Sequence, residues 1–163
     1  MKNSTITLFS EETLYTYNLY HIVKAFFPNE EIRQKVDDRQ EPLVRLVLEG
    51  GSCFSITKEQ AGHSGDRQET KRHVTKQTYD YLSSVTGRTL AWGMLTGVRP
   101  TKLAMQKLEN GMSKEETIRF LEDVFGVSPQ KAELGCEIAQ RERDLLGRLD
   151  CKNGWSLYVG IPF

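Results

Sequence analysis

Cysteine is scarce in this chain, and what there is lies too far apart to cooperate: Cys53, Cys136 and Cys151 are the only three in 163 residues. An odd number at such distances fits neither a disulfide framework nor a common zinc or iron–sulfur ligand spacing. It points to the reducing cytosol. Histidine is equally rare, and His21, His63 and His73 are too scattered to form a metal site or a catalytic pair. No apolar run approaches the length that crosses a bilayer, and the opening MKNSTITLFSEE has no basic segment leading into an apolar stretch. Neither export nor membrane insertion is expected, and the expected location is cytoplasmic. An excess of one charge is missing too. Lys plus Arg and Asp plus Glu number 22 each, so no global field draws the chain to nucleic acid, a membrane or acidic substrates.

What is present is an ordinary soluble composition, 38% hydrophobic and 27% charged, in a length that suits one domain or two small ones. Residues 5–9 read as a strand, and Ser10 offers a hydroxyl cap to a helix over 11–27, whose Tyr15, Leu19, Ile22 and Phe26 form one stripe. Pro28 closes it. Residues 31–36, 43–49 and 53–57 then read as strands separated by Asp37-Asp38 and Gly50-Gly51, the last two as a hairpin. Such a β-α-β-β-β order calls for a small α+β layer in which helix and sheet cover each other. A ferredoxin-like arrangement is one candidate. Residues 58–70 read as a polar connection into a helix over 69–86 with Val74, Thr78, Tyr81 and Val85 on one side, stopped by Gly87.

The segment 90–97 is apolar and short, and periodicity does not separate strand from buried helix there. From Pro100 onward the pattern is helical. Helices are expected over 100–110, from a Ser113–Glu116 capping box to Phe125, and from Ser128-Pro129 to about Leu149. In the last of these, Leu134, Ile138, Leu145 and Leu149 form the apolar side. At the carboxy-terminal end Leu157, Val159 and Ile161 alternate with Ser156, Tyr158 and Gly160 until Pro162 removes a backbone donor, the pattern of a strand. A strand without a following partner is expected to belong to a longer polypeptide.

Few residues offer chemistry by themselves. The turn Thr96-Gly97-Val98-Arg99-Pro100-Thr101-Lys102 leads into a helix whose free amides, with Arg99, Thr101 and Lys102, suit a carboxylate or phosphate. The structural alternative is a rigid connection whose arginine pairs with a nearby carboxylate. His63, Arg67, Lys71, Arg72, His73 and Lys76 make a locally basic stretch that reads as a solvated helix face, since Asp66 and Glu69 interrupt it and no aromatics interleave. Cys53 and Cys136 read as small apolar residues in a strand and a helix.

Two motifs carry a resemblance. YVGIPF (158–163) is similar to the first barrel strand of the radical S-adenosylmethionine (SAM) enzymes of the oxygen-independent coproporphyrinogen III oxidase family, in which a CxxxCxxC cluster motif follows at once. LAWGMLTGVRPTKL (90–103) resembles the HemZ-type branch of that family, coproporphyrinogen dehydrogenases. The resemblance implies a region amino-terminal to a radical SAM, TIM-like barrel that is missing here: an α+β domain at 1–87, a helical subdomain at 88–150, and a linker with the first barrel strand at 151–163. It implies that Tyr158 lies at bound SAM, that the intact protein uses a [4Fe-4S] cluster and SAM, and that its substrate is a porphyrinogen whose propionates are decarboxylated to vinyl groups in haem biosynthesis. Those propionates are one anion that would suit Arg99, Thr101 and Lys102. Without the cluster cysteines this piece is expected to be inactive. Gly160 stands where the family often has a histidine, which leaves the substrate open. A haem-handling or regulatory role without oxidase activity is the alternative, and a nucleic-acid or protein-binding module a third, disfavoured by the balanced charge.

Overall fold

The computed structural model describes residues 5–37, 42–48, 50–62, 67–96 and 98–147, and shows an α+β protein. In chain order the elements are β1 (Thr5–Ser10), α1 (Thr13–Phe26), β2 (Glu31–Val36), β3 (Val44–Val47), β4 (Cys53–Ile56), α2 (Lys58–Ala61), α3 (Arg67–Thr86), α4 (Pro100–Glu109), α5 (Lys114–Phe125) and α6 (Pro129–Leu146). The expected strand over 156–163 lies outside the described residues.

The four strands form one sheet in the order β2-β1-β3-β4. β1 runs parallel to β2, with Leu8 opposite Gln34, and antiparallel to β3, with Leu8 opposite Leu46. β3 and β4 make the expected hairpin, turning through Gly50 and Gly51, both at positive φ. This corrects the ferredoxin-like candidate. In that arrangement another strand separates the two joined by the first helix, whereas here β1 and β2 are immediate neighbours.

Alternation along the strands sends Ile6, Leu8, Val44, Leu46 and Ile56 to the face covered by α1 and α3, where all five are buried. The α1 stripe is as expected: Tyr15, Leu19, Ile22 and Phe26 are buried with Val23. Each large side chain so buried contributes roughly 1.5–3 kcal/mol of transfer free energy. Ser10, however, does not cap α1. Glu12 occupies the N-cap position without a side-chain bond, while the Ser10 hydroxyl pairs with the Thr16 hydroxyl and the Glu12 carbonyl inside the first turn. The polar connection after β4 contains the short α2, opened by a capping box in which Thr57 and Gln60 exchange bonds. On α3 the buried side is Val74, Thr75, Thr78, Tyr79 and Leu82, so Val85, 50% exposed, falls off the expected stripe. The buried face runs through 74, 75, 78, 79 and 82, so the step from 78 to 81 in the expected stripe leaves it and 85 lies beyond it.

A second core lies among α4, α5 and α6. The Ser113–Glu116 capping box opens α5 as expected, and Gly126 closes it in the left-handed conformation. The Ser113 bonds hold the Glu116 carboxyl below its usual range. The expected apolar side of α6 is corrected. Its buried face is Ala132, Gly135, Cys136 and Ala139, whereas Leu134 and Leu145 are 40% and 65% exposed. Small residues at this i, i+3, i+4, i+7 spacing let α4 and α5 lie close against α6, with Ala104, Leu108 and Leu121 filling the contact.

Candidate functional site

The segment that periodicity left undecided, residues 90–96, is neither strand nor helix but a series of turns that fastens the sheet lobe to the helical lobe. Leu90 and Met94 pack on the first core, Trp92 and Leu95 on the second. Backbone bonds fix it on both sides. The Tyr79 hydroxyl accepts from the Leu90 amide at 3.0 Å, the Phe125 carbonyl accepts from the Met94 amide at 2.8 Å, and the Ala91 carbonyl accepts from the Ser128 amide at 3.0 Å. Gly93 is obligatory here for two reasons. Its φ is +53°, and a Cβ would sit on the Phe125 carbonyl oxygen and only 2.6 Å from that of Gly126. Lys131 lies over the Trp92 ring at 5.7 Å from the centroid.

Beside this clasp the two lobes leave a cleft of about 890 Å³, within the ~300–1,000 Å³ usual for small-molecule sites. One wall is the flank of α3 that carries Arg67, Lys71, Arg72 and Thr75, with Asn18 and Ile22 of α1 beside it; the opposite wall is Met94, Leu95, Thr96, Val98 and Phe125. Apolar side chains thus face a basic helix flank. Arg67 is engaged by Glu12 at 2.5 Å, and that bond raises its already high pKa further. Lys71 and Arg72 form no ion pair among the described residues. Glu69 is the one acidic residue lining the cleft among the described residues. Deeper in the same lobe, Tyr15 has its phenol pKa raised by burial and by Glu12.

The basic stretch read as a solvated face therefore has one edge in a cavity. Arg67, Lys71 and Thr75 recur every four residues, and Thr75 and Thr78 are buried polar residues on a helix that otherwise buries Val74, Tyr79 and Leu82. That polar run beside a cationic i, i+4 series was the signal in the sequence. It locates a flank that is neither core nor open solvent.

The expected anion site lies at the start of α4. Arg99 stands at the N-cap of α4, its Nε donating to Thr101 Oγ1 at 3.1 Å and its Nη2 to Glu142 Oε2 of α6 at 2.9 Å. The Lys102 amide already donates to the Arg99 carbonyl at 3.1 Å. Arg99 is thus held against α6, while the Lys102 side chain is exposed and forms no ion pair among the described residues. Of this turn, Thr96 and Val98 are the described residues that reach the cleft. Tyr158, Gly160, Cys151 and His63 lie outside the described residues. Among the described residues no three His, Cys, Asp or Glu come together as a metal site. Cys53 is exposed on β4, and Cys136 is buried in α6, where burial raises its thiol pKa. No helix of the described residues is long and apolar enough to cross a membrane.

No family model matches the chain, and no solved structure does. A curated relative does match. The chain is 37% identical over 97 residues to the oxygen-independent coproporphyrinogen-III oxidase-like protein HemZ of Bacillus subtilis (strain 168). The matched stretch is 59% of this chain and 19% of that protein, so the chain spans less than a fifth of the length of its relative.

Proposed function

We propose that this chain is the amino-terminal accessory region of an anaerobic coproporphyrinogen III dehydrogenase acting in haem biosynthesis in the cytoplasm. On this reading a following radical SAM barrel, held in the longer polypeptide, carries out the oxidative decarboxylation of two propionates to vinyl groups. The observation that carries the reading is the 37% identity over 97 residues to HemZ. It agrees with a fold that has two cores and a lined cleft.

The described residues do not fit a [4Fe-4S] cluster. Their two cysteines belong to different lobes, one exposed on a strand and one sealed in a helix interface, and no step of the reaction is assigned to them. On this reading the cluster and SAM belong to the barrel, and Tyr158 is a contact for SAM. What this region supplies is shape and charge: two lobes locked by the 90–96 clasp, with Lys102 at the outer end of α4 as a contact for a propionate. Arg99 is held there by its bond to Glu142 of α6.

Two measurements test the reading. The gene should continue beyond codon 163 into three closely spaced cysteine codons. The whole protein, kept anaerobic with SAM and a reductant, should convert coproporphyrinogen III to protoporphyrinogen, followed by chromatography of the oxidised products. Tight haem binding without turnover would instead assign a haem-handling role, and absence of the cysteines would remove the enzymatic reading.

A further inference from the structure

We propose that the cleft between α3 and the 90–96 clasp is a binding site for an apolar-bodied polycarboxylate, which lays its body on Met94, Leu95, Val98 and Phe125 and its acids on Lys71 and Arg72. The choice of a tetrapyrrole as that occupant rests on the haem-biosynthesis reading; the site itself rests on the cleft. Lys71 is half-buried and Arg72 exposed, both without an ion pair among the described residues, and they line the cleft with apolar residues and a single carboxylate, Glu69. Neighbouring like charges left uncompensated favour an anion between them. Arg67 does not compete for that role, because Glu12 already holds it. Asn18 and Thr75 add neutral hydrogen-bonding groups along the same wall. Glu69 lines the same cleft, and an acid of the ligand would be repelled from it. A volume of about 890 Å³ is more than a simple inorganic anion needs. An apolar wall offers such an ion nothing.

The probe is coproporphyrin III, whose fluorescence reports transfer to an apolar site, titrated into the 163-residue chain. The expected result is saturable binding tighter than about 100 μM, weakened by added salt. Lys71→Glu with Arg72→Glu should weaken it at least about tenfold, since each lost charged contact is worth about as much as a charge-assisted hydrogen bond. Val98→Asp, at a site 59% exposed and therefore of small folding cost, should weaken it from the opposite wall. Far-UV circular dichroism checks the fold of each variant, and Lys71→Gln with Arg72→Gln repeats the test without introduced repulsion. The tetramethyl ester of the porphyrin should be indifferent to the charge variants. The proposal is overturned if coproporphyrin III does not bind, if the charge variants bind it unchanged, or if tricarballylate, which has acids but no apolar body, competes equally. Turnover by the whole protein without binding here would remove this site and leave the enzyme; binding here without turnover would do the reverse.

Discussion

In the sheet lobe the interior is filled by Phe26, Leu8, Leu19, Ile22, Leu46 and Leu82, large side chains that interdigitate between two helices and four strands. In the helical lobe Met105, Leu108, Leu121 and Val127 pack with small residues, Ala104, Ala132, Gly135, Cys136 and Ala139, which fill little space and let backbones approach. The first core gains its stability from apolar area per residue, the second from close helix contact. They tolerate opposite errors. A cavity is the hazard in the sheet lobe, and overpacking the hazard in the helical one.

The largest effect should come from emptying the first core. Phe26 is fully buried, meets the Tyr79 ring edge-to-face at 5.4 Å between centroids, and gives its carbonyl to the Arg88 guanidinium. Phe26→Ala is expected to cost about 4 kcal/mol, measured as a fall in the urea midpoint at unchanged slope. A loss below about 1 kcal/mol would mean that the lobe repacks freely, and the contrast between the two cores would fail.

Next in size is the clasp that joins them. Gly93→Ala places a methyl group against the Phe125 carbonyl and asks alanine to hold φ near +53°, which should cost about 3 kcal/mol. Its signature differs from that of a cavity. The bond from the Met94 amide to Phe125 and the seat of Trp92 on the second core go with it, so tryptophan fluorescence and circular dichroism should cease to report one shared unfolding transition. Coincident transitions in the variant would show that the lobes are coupled by something other than these turns.

Large side chains made the sheet lobe legible. Strict alternation in β1 and β3, the four-residue stripe on α1, Gly50-Gly51 and the Ser113–Glu116 box each announce their element, because each pairs a residue type with a local geometry that needs it. Sheet order was not legible, since nothing local distinguishes a neighbouring parallel strand from one two places away. The 90–96 segment carries no period because short turn bonds within it, Gly93 to Leu90, Leu95 to Trp92 and Thr96 to Met94, alternate with bonds reaching outward to Phe125, Ser128 and Tyr79. The cleft shared that difficulty. Arg67, Lys71 and Arg72 look like any solvated helix edge until Met94, Leu95 and Phe125, distant in sequence, are brought opposite. Arg99 had two readings, and its partner Glu142 lies 43 residues away.

The α6 helix shows most sharply how hydrophobicity misleads when the interface is built from small residues. Reading leucines as core put Leu134 and Leu145 inside, yet the helix turns Ala132, Gly135, Cys136 and Ala139 toward α4 and α5 and leaves Leu134, Leu145 and Leu146 at least 40% exposed. A pair of opposite substitutions tests that orientation. Ala139→Leu adds three heavy atoms where α4 and α5 already close on the backbone, and should cost about 2 kcal/mol. Leu145→Gln removes an apolar residue that is 65% exposed and should shift stability by less than about 0.5 kcal/mol in this chain. Sequence hydrophobicity alone ranks the two the other way round. If Leu145→Gln proves the more damaging, the helix is rotated from the position described and the small-residue interface is wrong.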